Sequence, residues 1–365
     1  MTGGAHSLTR LPAWARPRRR ASAADACETA ATVAERLAVL LGVGVSPALA
    51  WRLLADALRE EQATDASGSP STGATGRVAV PVLVAGAAAL AAEAGEPVDE
   101  AIIGTLAGEA EMKTRTTRST RRSDSAETAA TSRAWLALAA AWRVAVEAGA
   151  PLGQTLRSIA DALRDEAHLA RTVSTALAGP RASARMVAAL PLVAVGFGVL
   201  LGFDTLGVLT GSPLGLACAG VGAALLVAGT RWNASLAATA SRTPTWPGLE
   251  SELLAVAMTG GLPLGRARDL VRAALAGSVP EASGHPSVDA TVALSTRAGA
   301  PVAELLRADA ARLRRDARAS GLQRAETLAV RLLLPLGVCV LPAFVLLGVA
   351  PLMLSVVTGT LLEAP

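Results

Sequence analysis

Aromatic residues are nearly absent from this sequence: six tryptophans, three phenylalanines and no tyrosine, 2% of the chain. No stretch alternates with period two between hairpin turns, and the apolar content is mostly Ala, Leu and Val. Together these predict an all-α chain. Lysine is as scarce: Lys113 stands alone, and arginine supplies the rest of the positive charge. Three cysteines, Cys27, Cys218 and Cys339, lie far apart with no CxxC pair, which argues against both a zinc site and a disulfide framework. The three histidines are scattered; only His168 shares a helical face with carboxylates (Asp161 and Asp165), and one helix alone is a poor metal site. No Gly-x4-Gly-Lys-Ser/Thr loop is present, so nucleotide hydrolysis by the chain itself is not expected, and no cofactor is implied.

What the sequence has is hydrophobicity and a partitioned charge. It is 52% hydrophobic over 365 residues, with a mean hydropathy of +0.43. Of 34 Lys and Arg, 21 fall in residues 1–185 and 13 in 231–331. Residues 186–230 and 332–365 hold none, and their only acids are Asp204 and Glu363. This is the positive-inside pattern of a three-pass membrane protein. The pI of about 9.7 therefore records topology before it suggests nucleic acid.

One phrase is written twice. Ala148-Gly149-Ala150-Pro151-Leu152 and Ala298-Gly299-Ala300-Pro301-Val302 each lead a long helical run toward an apolar stretch. Gly after a helix can adopt the left-handed cap, and Pro in the first turn of the next helix loses no hydrogen bond. Looser versions stand at Gly44–Pro47, Gly95–Val98 and Gly261–Leu264. Gly149, Pro151, Gly299 and Pro301 are thus expected to be structural joints.

The expected organisation begins with a basic arm over residues 1–26. It lacks the apolar core of a signal peptide and reads either as a disordered tail or as a polybasic contact with anionic lipid. A first cytoplasmic helical module covers 27–185. Within it Leu49, Leu53, Leu54 and Leu58 are placed on one helical face, Arg77–Ala92 as a buried bundle helix, and Leu156, Ile159 and Leu163 on an apolar stripe. Transmembrane helices are expected at 186–203 and 206–229, with a small-residue ladder at Gly211, Gly215, Ala219 and Ala223. A linker (230–248), a second helical module (249–330) and a third span (332–357) bent by Pro335, Pro342 and Pro351 follow. A kink is expected at Gly179–Pro180. The fold class is all-α: two cytoplasmic helical-bundle modules in tandem repeat with three transmembrane helices, N-terminus inside and C-terminus outside.

With the five joints, Leu177-Ala-Gly-Pro-Arg-Ala-Ser-Ala-Arg185 before the first span, and Leu333–Pro335 through Leu341-Pro-Ala-Phe344 at the last, the chain resembles the type II secretion system F family. These are the inner-membrane platform proteins of type II secretion, type IV pilus and Tad/Flp pilus machines, and the wording is similar to the TadB and TadC branch. The resemblance implies a non-enzymatic platform that couples a cytoplasmic secretion ATPase to pilin-like subunits in the plasma membrane, with self-association. Candidate docking residues are Arg157, Arg164 and Arg171 in the first module and Arg312, Arg314, Arg315 and Arg318 in the second. These faces equally suit solvation of the helices. The alternative function is a membrane-anchored basic module binding nucleic acid or anionic lipid; the charge partition leaves no nucleic-acid partner expected.

Overall fold

In the computed structural model every secondary-structure element among the described residues is a helix. Those residues are 23–67, 79–116, 122–176, 178–200, 207, 211, 213–240, 246–279, 286–351 and 353. Residues 1–22 of the basic arm, residues 68–78, most of the turn between the first two expected spans and the end of the chain beyond 353 lie outside them, whereas 23–26, expected in the arm, begin the first helix. In chain order the helices are α1 (Ala23–Gly42), α2 (Pro47–Ser67), α3 (Val80–Ala94), α4 (Val98–Thr116), α5 (Arg122–Ala148), α6 (Leu152–Ala176) and α7 (Ala178–Leu200), followed by α8 (Pro213–Ala240), α9 (Leu249–Thr259), α10 (Leu264–Ser278), α11 (Pro286–Ala298) and α12 (Val302–Arg331). A last helical run, α13, covers 333–349.

The helix ends follow from the joints. Gly44, Gly95, Gly149, Gly261 and Gly299 all have positive φ, between 64° and 89°. The next residue's N–H reaches back five residues at each: Val45 to Leu40 O, Glu96 to Ala91 O, Ala150 to Ala145 O, Leu262 to Ala257 O and Ala300 to Ser295 O. This is the Schellman closure, which occupies carbonyls a helix end leaves bare. Of the five joint prolines, Pro47 alone is the first residue of its helix. Pro263 and Pro301 sit one position earlier, as extended N-caps with ψ of 144° and 117°. Their carbonyls accept the first helical bonds, from Ala267 and Leu305. A ring without an N–H loses nothing there.

The chain separates by its contacts into two units, Met1–Arg143 with Pro151–Ala167, and Val144–Ala150 with His168–Pro365. In the first, α2 packs on α3, α3 on α4, and α1 on both α2 and α3. Its core is built of alanine and a few large side chains. Ala30, Ala31 and Ala34 of α1 are fully enclosed with Leu37, as are Leu138 of α5 and Leu156 and Leu163 of α6. The rings of Trp51 and Trp142 meet at 5.5 Å, tilted by 54°, a geometry aromatic quadrupoles favour. α3 carries a continuous buried face from Val82 to Ala91, as a bundle helix should. The leucine face of α2 divides: Leu54 is enclosed beside Ala50, Trp51 and Ala55, whereas Leu49 and Leu53 remain 42% and 46% exposed. At 100° per residue the four leucines spread over half the helix, and the tryptophan takes the core.

In the second unit α9 packs on α10 and α12, and α11 on α12. The end of the expected 230–248 linker is fixed. Trp246 has φ 61° and is buried, Gly248 has φ 83°, and Leu249 N–H closes the turn on Trp246 O. A Cβ on Gly248 would come 2.8 Å from the Ala310 backbone, so glycine there admits the close passage of α12.

The apolar helices of this unit pack through glycine. Among the described residues one segment, Gly215–Asn233 in α8, is long and apolar enough to cross a membrane. Its closest approaches are Gly222 to Leu347 and Gly229 to Cys339, and Gly348 of α13 meets Ala194 of α7. The buried glycines of α8 are Gly215, Gly222 and Gly229, seven apart. The expected ladder of every fourth residue therefore shares only Gly215 with the packed face. Gly211 is exposed with nothing near its Cβ position. A seven-residue step keeps a straight helix against one neighbour better than a four-residue step, which drifts 40° each time. In α13 the prolines are absorbed without a break. Leu336–Val340 and Val345–Val349 are π-turns, and the N–H groups of Leu341 and Ala350 reach five residues back to Leu336 O and Val345 O. A proline removes one rung, and the widened turn re-pairs the neighbours. The kink expected at Gly179–Pro180 adjoins Leu177, which lies outside the described residues.

Candidate functional site

The two arginine faces are set by the helices that follow the Gly-Ala-Pro joints. On α6, Arg164 is half-buried and bridges to Glu35 of α1 and, at 3.5 Å, to Asp161. Arg157 is exposed, with its guanidinium beside Gly42. Arg171 is exposed further along. On α12, Arg314 bridges to Glu252 of α9 at 3.3 Å, and both are largely withdrawn from solvent. Arg312 is held by Asp309 at 2.9 Å and Asp316 at 3.5 Å. Arg315 and Arg318 are exposed. Of the seven candidates, the structure thus engages Arg164, Arg312 and Arg314 in carboxylate pairs within the chain.

Sequence reasoning did not reach their partners. Glu35 lies nine residues before Gly44, and Glu252 nine before Gly261; Arg164 lies fifteen after Gly149, and Arg314 fifteen after Gly299. A second matched pair of positions behaves alike. Arg307, eight residues after Gly299, donates to Glu304 at 2.6 Å and to Thr259 at 2.8 Å. Arg157, eight after Gly149, lies against Gly42, which stands two before Gly44 as Thr259 stands two before Gly261. Registering the chain on its own joints was the signal that could have found them.

Two buried polar centres accompany these pairs. In the second unit Asp309 accepts from Ser251 at 3.1 Å, Ser287 at 2.9 Å and Arg312, tying α9, α11 and α12 together. Burial alone would raise its carboxyl, but the hydrogen bonds of Arg312, Ser287 and Ser251 outweigh that and hold it below the usual range. In the first unit Glu166 of α6 lies among Cys27 of α1 and Arg133 of α5. Burial pushes Glu166 up to about 7, against the pull of Arg133 and with help from Asp165. Burial, then Glu166, push the Cys27 thiol up to about 12, with Arg133 opposing. Cys27 is accordingly a protonated, unreactive thiol at neutral pH. Among the described residues no three His, Cys, Asp or Glu side chains converge as a metal site. Hydrogen-bonded cross-helix pairs of this kind fix helix angles.

The joint at Gly149 has a neighbour within its own unit. A Cβ on Gly260, at the end of α9, would overlap the carbonyl of Ala148, so the end of α5 rests on the backbone at the end of α9. The stretch that holds this joint, with the helices on either side of it and the entry into α7, is the part of the chain that comparison with known families picks out. Residues 88–200 match the family Type II secretion system (T2SS), protein F. This protein F domain runs from the last turns of α3 to the end of α7 and includes Arg157, Arg164, Arg171 and the joints at Gly95 and Gly149. It supports membership of the family expected from the sequence. Gly299, Pro301 and the α12 arginines lie outside the match. No curated protein and no solved structure matches the chain.

Proposed function

We propose that the protein is an inner-membrane platform of a type II secretion or pilus-assembly machine, of type IV or Tad type, coupling a cytoplasmic secretion ATPase to the assembly of pilin-like subunits. The protein F domain over residues 88–200 is the observation that carries this reading. The platform does no chemistry of its own; it docks the ATPase through its helical modules and holds membrane subunits through its apolar helices.

Three spans, α7, α8 and α13, anchor it. Besides the charge partition, the support is what these helices leave uncovered. Met186, Leu190, Val193, Phe197 and Leu200 form an exposed stripe along α7, and Leu334, Val338, Leu341, Val345 and Val349 another along α13. Apolar stripes of that length, on helices packed to each other through glycine, suit lipid and not water. The modules are two copies of one helix arrangement: α1, α2, α5 and α6 in the first correspond to α9, α10, α11 and α12 in the second. The matched pairs Glu35–Arg164 and Glu252–Arg314 support that correspondence.

Reporter fusions after residues 125, 205, 280 and 365 should read inside, outside, inside and outside. An inside reading at 365 would remove the third span. Co-purification of the full chain with a secretion ATPase of the same cell tests the coupling; failure of the two to associate in native membranes would overturn the platform reading.

A further inference from the structure

One face of the first unit differs from its counterpart in the second. Val39 and Val43 at the end of α1 are 53% and 75% exposed; Val39 and Leu40 of α1 with Leu53, Leu54 and Ala57 of α2 line a largely apolar groove of about 620 Å³, which Glu35, Arg36 and Glu61 edge. α6 meets α1 on the adjoining face, where Gly153 packs on Ala38 and Gly42 and Arg164 takes Glu35. α1 is therefore the floor of a trough with α2 along one side and α6 along the other. On the second unit's equivalent face, Val256 is buried and the end of α5 lies on Gly260. A helix end covers there what is bare here. Valine at 43 in place of glycine bars the same close backbone approach, so an occupant must meet the first groove through side chains.

The charges that edge the groove are paired, Arg36 with Glu61 and Glu35 with Arg164; beside it, next to Gly42, the arginine of α6 differs from its counterpart. Arg307 in the second unit has Glu304 and Thr259 as partners. At the matching positions of the first unit stand Gln154 and Gly42, and Arg157 makes no ion pair among the described residues.

We propose that the α1–α2 groove of the first unit docks an amphipathic helix of a soluble partner protein, its apolar stripe on Val39, Val43 and Leu53 and an acidic side chain on its flank paired with Arg157. The helix-in-groove mode requires this combination of an apolar floor and a charge that fixes direction. The comparison between the units rests on the two-copy reading above.

The test uses the full chain in phosphatidylcholine nanodiscs and two labelled helical peptides of about 18 residues, with leucines at i, i+3, i+4 and i+7 and flanks of glutamate in one and lysine in the other. Fluorescence anisotropy should show the acidic peptide binding about tenfold more tightly than its basic twin. Leu53→Asp should abolish that binding, and Arg157→Gln should remove the preference between the twins. Leu294→Asp, at an exposed site of the second unit, should change neither. Equal binding of the twins, no binding above empty nanodiscs, or a Leu53→Asp chain that binds as the parent does would each overturn the proposal. So would a dimer that Leu53→Asp dissociates, since a second copy would then fill the groove. The two-copy reading is tested apart from this, by hydrogen exchange in Glu35→Gln and Glu252→Gln chains. If neither substitution alters exchange while peptide binding is intact, that reading alone fails.

Discussion

The paired bridges Glu35–Arg164 and Glu252–Arg314 offer one perturbation in two environments. Replacing either glutamate by glutamine keeps the shape and removes the charge. Glu35 and Arg164 have side chains 49% and 37% exposed, so water and salt compete with the pair and its loss should cost about 0.5 kcal/mol. Glu252 and Arg314 are 6% and 21% exposed. There the substitution takes the α9 carboxylate from a poorly hydrated guanidinium, a loss of about 3 kcal/mol. The direct assay is hydrogen exchange of the full chain in nanodiscs, read separately in α1 and α9, because two contact units need not unfold as one. At about 1.4 kcal/mol per tenfold, exchange in α9 should quicken by about a hundredfold in Glu252→Gln, and exchange in α1 by about twofold in Glu35→Gln. Raised salt should weaken the parent's α1 bridge and spare the α9 bridge. Equal changes in both helices, or a larger one in α1, would refute the argument that enclosure decides the strength of these bridges.

Gly260→Ala sets a methyl against the Ala148 carbonyl and should lower the thermal midpoint by an amount equivalent to about 2 kcal/mol; a midpoint within a degree of the parent's would show that the end of α5 does not rest there. Glu166 titrates near 7 in the folded chain against 4.5 for a free glutamate, so between those values the folded state holds the extra proton. Its contribution should fall as pH rises through that window, by roughly 2–3 kcal/mol in total, and stay low above it. Glu166→Gln should flatten the slope and stabilise the chain at pH 8; urea unfolding at pH 5.5 and pH 8 reads both.

Much of the architecture could be read from punctuation. Each positive-φ glycine at a joint was followed by a proline or its N-cap, and those signals are local, so one sequence sufficed. The apolar stripe of α6 was equally plain, because Leu156, Ile159 and Leu163 keep helical spacing. The faces of α2 and α8 were not legible. Alanine and glycine fill the cores here, Ala30, Ala31 and Ala34 in one bundle and Gly215, Gly222 and Gly229 in the other. Their contribution is nearness, which hydropathy does not score, so the eye went to leucines and to the commoner four-residue spacing. The arginines could be named from the sequence, but the cross-helix carboxylates of Arg164 and Arg314 lie more than sixty positions away. Whether an arginine faces water or a glutamate is decided by which helices meet, and only the internal repeat hinted at that.

The second unit joins its last two helices stiffly. α12 runs unbroken for 30 residues and continues into α13 with only a cap at Leu332. At 1.5 Å per residue α12 is about 45 Å long. A tilt of about 10° at one end of such a rod moves the other by roughly 8 Å, more than one full turn of helix. Any push delivered near Gly299 would reach α13 multiplied, with no break in the helix to absorb it on the way.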